Sequence, residues 1–272
     1  MKMKRLLLIL LASSIVTCVG LHEESRNVQS EVIESKNLSI VILYDNNPYK
    51  EGLKTGWGFS CLIKAKKTIL FDTGGDGTIL LENMEKLGIN PEEIDIVVLS
   101  HIHGDHVGGL KSVLERNSKV VVYLPKSFPQ SFKEYVKKYA RVVEVHEPIE
   151  ICEGIYSTGE LGWWIKEQAL IVNTDKGLIV ITGCAHPGIV KMVKTAKDLL
   201  GNDVLLVMGG FHLFSKSNDE ILKIVSDFKK LGVRYVAPCH CSGDAAREIF
   251  KSEYGENFIS AGVGKIIDVN RL

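Results

Sequence analysis

The stretch of sequence that decides the fold is Ser100-His101-Ile102-His103-Gly104-Asp105-His106-Val107-Gly108-Gly109. It follows a continuous apolar run over residues 94–99, which predicts a buried strand. In an extended segment, residues two apart point to the same side, so His101 and His103 can bind one metal ion. Asp105 and His106 then turn toward the next helix and can face a second ion. Imidazole and carboxylate are ligands of zinc-like ions, so the stretch predicts a metal site.

Three later loops repeat one placement, a histidine just past the end of a predicted strand. They read Gly183-Cys184-Ala185-His186-Pro187-Gly188, Gly209-Gly210-Phe211-His212-Leu213 and Pro238-Cys239-His240-Cys241-Ser242-Gly243. Any one of these histidines could be a capping or hydrogen-bonded residue, but the repetition favours a shared site where α/β folds gather their chemistry. Upstream, the sequence reads Phe71-Asp72-Thr73-Gly74-Gly75. Asp72 there either caps the next helix or orients a metal-ligating histidine through a hydrogen bond, without binding the metal itself.

The order of predicted elements indicates the fold class. Hairpin-linked strands come first, and strand–helix alternation follows, with a helix predicted over 76–87 and a strand over 152–157. No repeat is visible, and no Pro/Gly/Ser-rich linker interrupts the chain after Leu38. This pattern predicts one α/β (α+β) domain over 38–272, with two mixed sheets packed face to face and helices outside.

Charge and cysteine content argue against two classes of protein, those that bind nucleic acid and those built on disulfides or zinc knuckles. The chain of 272 residues has 33 basic and 33 acidic side chains, so its net charge of zero gives no reason to expect a nucleic-acid partner. Its six cysteines form no CxxC pair, which argues against a disulfide framework or a zinc knuckle.

The N-terminus has the features of a targeting segment. Lys2, Lys4 and Arg5 precede an apolar run over residues 6–11, which predicts a secretory signal over residues 1–21. Cys18 stands where a lipoprotein carries its lipid, although the preceding Ile-Val-Thr is a poor processing signal. Residues 22–37 are polar and aperiodic and predict a flexible tether. We therefore expect an exported protein, either extracytoplasmic or membrane-anchored through this segment.

The motifs resemble those of the metallo-β-lactamase superfamily. HxHxDH at a strand end, with FDTG upstream, is similar to its signature. The closer resemblance is to a branch of small hydrolase-like proteins that carry GCxHPG, GGFHL and PCHCxG in this order. That branch includes an archaeal dihydropterin-methyl-ribofuranosylaminobenzene-phosphate synthase. The resemblance runs from about residue 38 to residue 268 and implies a four-layer αββα sandwich with a one- or two-metal site at its rim.

Carried onto this sequence, the resemblance implies two sets of ligands. One set is His101, His103 and His186, and the other is Asp105, His106 and His240. Two departures stand out: residues 158–164 lack the histidine expected there, and Cys184 replaces a bridging aspartate. His186 then substitutes for the missing ligand, while Cys184 either coordinates as a thiolate or lines the pocket. One or two divalent ions are expected, with zinc first and manganese or iron as alternatives.

These residues predict a hydrolase in which metal-activated hydroxide attacks a small ester, phosphoester or lactone. Asp105 orients or deprotonates the nucleophile, and His212 donates a proton or a hydrogen bond to the substrate. Trp57, Trp163 and Trp164 lie in predicted loops, where they form an aromatic wall for a flat ring or, alternatively, pack in the core or at a hairpin corner. One alternative is a transferase that forms a dihydropterin–ribofuranosylaminobenzene phosphate conjugate. The other is a non-catalytic exported metal-binding or sensing protein.

Overall fold

The computed structural model describes residues 30–272, and its thirteen strands form two sheets. The first six strands are β1 (Ser39–Tyr44), β2 (Ser60–Lys64), β3 (Thr68–Phe71), β4 (Ile96–Val98), β5 (Val121–Pro125) and β6 (Arg141–Val145). The next six are β7 (Ile149–Cys152), β8 (Ile155–Ser157), β9 (Leu170–Thr174), β10 (Gly177–Thr182), β11 (Val204–Gly210) and β12 (Tyr235–Cys239). The last strand is β13 (Ile266–Asp268).

Both sheets are mixed, as the element order predicts. The first has the order β13-β1-β2-β3-β4-β5-β6, and the second has the order β12-β11-β10-β9-β8-β7. Hairpin neighbours such as β2 and β3 pair antiparallel, whereas β3 to β6 and β10 to β12 pair parallel. The strands that precede the histidine loops are therefore the parallel ones, and their carboxyl ends lie at the same edge of each sheet.

The described residues form seven α-helices, most of which cover the outer faces of the sheets. They are α1 (Gly77–Lys86), α2 (Gly104–Val107), α3 (Leu110–Arg116), α4 (Gln130–Lys137), α5 (Ile189–Leu200), α6 (Asn218–Leu231) and α7 (Asp244–Tyr254). One buried cluster, with Ile42 and Phe71 from the first sheet and Ile181 and Met208 from the second, lies between the sheets. A second cluster lies between the first sheet and its helices, and a third lies between the second sheet and its helices. The predicted four-layer αββα sandwich is confirmed.

Local signals explain why the later elements begin and end where they do. Five of the six residues of β10 are buried, as expected for a strand covered on both faces. α6 begins at a capping box, in which the Ser217 side chain accepts from the backbone of Glu220 and the Glu220 carboxylate accepts from the backbone of Ser217. It ends at Gly232, whose φ of 78° is left-handed.

Two expectations from the sequence differ from the structure. The single strand predicted over 152–157 is a hairpin, since β7 ends at Cys152, the chain turns through Gly154 with a φ of 74°, and β8 returns. Part of the predicted tether lies against the domain, because Ile33 pairs with Thr174 and its N–H donates to the Asn173 carbonyl at 2.8 Å. The packed chain therefore begins before Leu38.

The predicted signal over residues 1–21, Cys18 and the first part of the tether lie outside the described residues. Within residues 30–272, no helix has the length and apolar character that spanning a bilayer requires.

Candidate metal centre

Four histidine-bearing loops meet at one rim of the sandwich. β4 leads to His101, β10 leads to His186, β11 leads to His212, and β12 leads to His240. The ring centroids of His101 and His186 are 4.8 Å apart, and those of His186 and His212 are 4.4 Å apart. The ends of parallel strands from both sheets thus assemble one site from distant parts of the sequence.

The backbone of these loops is strained. Among the described residues, four non-glycine residues have a positive φ: Asp72 (55°), Ala185 (62°), His212 (53°) and His240 (47°). A left-handed conformation costs a non-glycine residue about 1–2 kcal/mol. All four lie in the strand-end loops of the site, and such strain persists where the surrounding structure fixes side chains for a function.

The first group of donor atoms belongs to His101, Cys184 and His186, and these atoms lie within 4.8 Å of one another. His103 joins them, because its Nδ1 is 3.1 Å from His101 Nε2 and its ring centroid is 4.8 Å from that of His186. The structure therefore brings together the three histidines that the resemblance assigned to one ion, and it adds Cys184.

The imidazoles of this group are neutral. Burial, reinforced by the neighbouring histidines, lowers the pKa of His101 well below its usual value. Burial likewise lowers the pKa of His186 to about 4 and lowers the pKa of His103. Neutral imidazole is the form that binds a metal ion.

The second group of donor atoms belongs to Asp105, His106, Cys184 and His240. Asp105 Oδ2 is 3.3 Å from His240 Nε2 and 3.6 Å from His106 Nε2. The Cys184 sulfur is 3.2 Å from His106 Nε2 and 3.5 Å from His240 Nε2. Burial acts to raise the pKa of Asp105, but a hydrogen bond with His240 and the charges of His106 and His240 lower it to about 2. This carboxylate is therefore ionised at neutral pH.

Asp72 fixes the histidine loop through hydrogen bonds to Ser100 and His106. Its Oδ1 accepts the backbone N–H of Ser100 at 2.7 Å, and its Oδ2 accepts the Ser100 hydroxyl at 2.7 Å. The same Oδ2 is 2.7 Å from His106 Nδ1. The alternative in which Asp72 caps the next helix is wrong, because Asp76 caps α1 by accepting from the N–H groups of Thr78 and Ile79.

His240 is held by two residues that the sequence analysis did not identify, Asp45 and Asn46. Asn46 Oδ1 is 3.0 Å from His240 Nδ1. The backbone N–H of His240 donates to Asp45 Oδ2 at 3.1 Å. These contacts fix the direction of the His240 ring and leave Nε2 toward Asp105 and Cys184.

Glu167 is a further residue of the site that the sequence analysis missed. Its buried carboxylate accepts three backbone N–H groups, from Cys184 at 2.9 Å, Ala185 at 2.8 Å and His186 at 2.9 Å. Burial raises the pKa of Glu167 to about 6, although the three hydrogen bonds oppose this shift. Glu167 therefore shapes the loop that presents Cys184 and His186.

The residues present fit a divalent metal ion. Among the described residues, His186 Nε2 and His212 Nδ1 are buried ring nitrogens without a hydrogen-bond partner. An unpaired buried polar atom costs about 1–3 kcal/mol, and a bound cation would remove that cost for a nitrogen that faces it. Neutral imidazoles, an ionised carboxylate and a thiol form the donor set that zinc-like ions prefer.

Aromatic side chains surround the candidate centre and lie outside the core. Trp57 is 56% exposed, Trp163 is 86% exposed and Trp164 is 80% exposed. The Trp57 ring lies 4.9 Å from that of His240. Trp163 and Trp164 line a cavity of about 210 Å³ together with His186. Among the interpretations of these tryptophans, core packing is wrong.

Comparisons with known proteins agree with this geometry. The family model described as the metallo-beta-lactamase superfamily matches residues 58–195. The chain is 35% identical over 261 residues to 7,8-dihydropterin-6-methyl-4-(beta-D-ribofuranosyl)-aminobenzene-5'-phosphate synthase of Methanocaldococcus jannaschii, covering 77% of this chain and 89% of that protein. It is 26% identical over 161 residues to ribonuclease Z of Nanoarchaeum equitans, covering 52% and 50% of the two chains.

A solved structure is similar over most of its length. It is Tm1679, described as a metal-dependent hydrolase of the beta-lactamase superfamily. The two chains share 31% identity and a TM-score of 0.72, and the match covers 85% of this chain and 98% of the other.

Proposed function

This chain belongs to the metallo-beta-lactamase superfamily, and from that premise we propose that it is a metal-dependent hydrolase of small phosphoesters, esters or lactones. One observation carries the proposal: the Cys184 sulfur belongs both to the first group of donor atoms, with His101 and His186, and to the second group. Two ion positions joined in this way suit the stabilisation of an attacking and a leaving oxygen. The relative described as a metal-dependent hydrolase supports the same class.

We propose zinc as the metal, with manganese or iron as alternatives. One position would be held by His101, His103 and His186, and the other by Asp105, His106 and His240, with Cys184 between them. A divalent ion bound there supplies Lewis-acid chemistry, since it makes water more acidic and polarises the substrate oxygen.

We assign to Asp105 the orientation of the attacking water. Its pKa of about 2 keeps the carboxylate ionised, so it can accept a hydrogen bond from water. Its side chain is 21% exposed, whereas those of His106 and His240 are buried, so solvent reaches the carboxylate. A group with so low a pKa is a weak proton acceptor, which favours an orienting role over that of a general base.

We assign to His212 the donation of a proton or a hydrogen bond to the substrate. A hydrogen bond with Cys241 raises the pKa of His212, although burial opposes the shift. Its Nδ1 has no partner within the described protein and can donate. His212 also lines a cavity of about 410 Å³ with His186 and Lys216. The Lys216 ammonium is paired with Glu220 at 2.8 Å, so this cavity does not rank the three substrate classes.

The exposed tryptophans favour small substrates that carry a flat ring. Indole rings present large rigid faces that stack on planar groups. Trp163 and Trp164 flank the cavity that contains His186, so a ring stacked there would lie beside the first group of donors. A small-molecule partner, and no nucleic acid, is the partner class that we propose.

The decisive test is turnover by metal-analysed protein. Chromogenic phosphodiester, phosphomonoester, ester, lactone and β-lactam substrates would be compared with a His103→Ala variant and with His146→Ala as a matched control. His146 is exposed and bonds Glu160 at 2.9 Å, so its loss leaves the centre intact. We expect turnover that requires metal and His103 but not His146. Protein that holds metal and turns over none of these substrates would overturn the proposal.

A second candidate is the transferase. The specific observation in its favour is the 35% identity to a relative named as a synthase, of which the match covers 89%. That relative's name describes a pterin joined to an aminobenzene ribose phosphate. Formation of such a conjugate from a pterin pyrophosphate and an aryl amine, without hydrolysis of the panel above, would favour this candidate. Export through residues 1–21, which we also propose, would separate the protein from cytoplasmic intermediates of this kind.

A further inference from the structure

A pair of thiols lies beside the two groups of donor atoms. Cys184 follows β10 and is 4% exposed, and Cys241 follows β12 and is 2% exposed. The two sulfurs and a ring nitrogen of His212 lie within 4.8 Å of one another. Neither Cys241 nor His212 belongs to the other two groups. We propose that Cys184, His212 and Cys241 form a further metal position, which shares the Cys184 sulfur with the other two groups and takes a thiophilic divalent ion such as Zn²⁺.

The backbone around Cys241 directs its sulfur toward this position. Its Sγ lies 3.6 Å from the Cys184 carbonyl oxygen, and its own carbonyl accepts the Leu213 N–H at 3.2 Å. A β-carbon added at Gly210 would lie only 2.7 Å from the Cys241 sulfur, so the close approach requires glycine. The loops after β10, β11 and β12 therefore pack around the thiol pair.

Both thiols are buried, at 4% exposure for Cys184 and 2% for Cys241. A cation held between them would replace the thiol protons, because a coordinating thiol is deprotonated outright.

The chemistry of the donors selects the class of ion. Two sulfurs and one imidazole nitrogen are the protein ligands of zinc sites that keep a fourth position open. Thiolates favour zinc-like and softer ions over magnesium and manganese, which prefer oxygen ligands. If His212 ligates through one ring nitrogen, the other remains a hydrogen-bond donor. This inference concerns the metal centre alone and holds whether or not the proposed hydrolysis is found.

Cobalt substitution tests the position without an activity assay. Metal-free, reduced protein would be titrated with Co²⁺ under anaerobic conditions, and the near-ultraviolet absorption of thiolate–cobalt bonds would be followed. We expect the wild type to show the band of two thiolates. Cys241→Ser should lower its intensity, because the bond from one of the two sulfur ligands is lost. Cys152→Ser is the matched control and should leave the band unchanged, since Cys152 on β7 belongs to none of the three groups.

Two outcomes would overturn the inference. One is a full band in folded Cys241→Ser, which would assign all sulfur ligation to Cys184. The other is a wild type that binds Co²⁺ without a thiolate band, or whose Cys184 and Cys241 are recovered as a disulfide. If Cys241→Ser does not fold, X-ray absorption of zinc-loaded wild type decides instead, because two sulfur neighbours at about 2.3 Å are required. The hydrolase panel is read separately, so failure of either proposal leaves the other standing.

Discussion

His106 Nδ1 and Asp72 Oδ2 lie 2.7 Å apart, and both side chains are fully buried. Burial acts to lower the pKa of His106, but the Asp72 carboxylate outweighs it and raises that pKa. A carboxylate can only accept, so Nδ1 carries a hydrogen toward Asp72, and Nε2, which faces Asp105 and Cys184, is the nitrogen available to a metal ion. Asp72 therefore selects the tautomer that a metal requires, without reaching the metal itself.

Asp72→Asn should weaken metal binding more than it weakens the fold. The amide can keep the shape of the side chain but can present an N–H to His106, which favours the wrong tautomer. We expect metal affinity to fall by about 10–100-fold, measured with a competing chelator. Asp76→Asn is the control, because asparagine caps a helix as well as aspartate does. Equal metal affinities for the two variants would contradict the assigned role of Asp72.

Glu167→Gln should destabilise the loop over Cys184 to His186. The three backbone N–H groups now share two carboxylate oxygens, and glutamine offers only one oxygen beside an amide that repels N–H donors. We expect the free energy of unfolding to fall by about 1–3 kcal/mol, measured by urea denaturation. Glu85→Gln, on the exposed side of α1, should change it by less than about 0.5 kcal/mol. A wild-type midpoint for Glu167→Gln would mean that the loop holds its shape without the carboxylate.

Most of the fold could be predicted because its signals are local. The ends of β10, α5 and α6 carry such signals, since glycines and the Ser217 capping box mark them. The hairpin of β7 and β8 could not be predicted so well. β7 has two exposed residues among its four, so no apolar alternation distinguishes it, and tertiary pairing decides its conformation.

The candidate site could be predicted only in part, for a different reason. Histidines at strand ends are visible in the sequence because the position of a strand end is visible. The contacts of Glu167 and Asn46 are not, since Asn46 meets His240 across 194 residues and Glu167 binds backbone groups that carry no side-chain signal. The pairing of Cys241 with Cys184 is hidden likewise, because it depends on how the loops after β10 and β12 pack.

Trp163→Ala should discriminate between aryl and alkyl substrates. The ring of Trp163 is 86% exposed beside the cavity that contains His186, so its removal should disturb no core packing. Loss of one stacking contact is worth about 0.5–1.5 kcal/mol, which predicts a roughly 2- to 10-fold rise in KM for an aryl phosphodiester. The KM of a matched alkyl phosphodiester should stay unchanged. Equal changes for both substrates would exclude ring stacking as the role of Trp163.

Removal of metal should lower the thermal stability of the wild type. Without a cation, His186 Nε2 and His212 Nδ1 are buried without a hydrogen-bond partner among the described residues, whereas water solvates both in the unfolded chain. An ion that binds only the folded state stabilises it by about 2.7 kcal/mol at one hundred times its dissociation constant. Differential scanning calorimetry should therefore show a higher melting temperature after zinc is restored to chelated protein. His103→Ala should reduce this difference, and His146→Ala should preserve it. The prediction fails if zinc binds the restored wild type but its melting temperature equals that of the chelated protein. In that case either the ion also binds the unfolded chain, or the buried nitrogens already have hydrogen-bond partners without it.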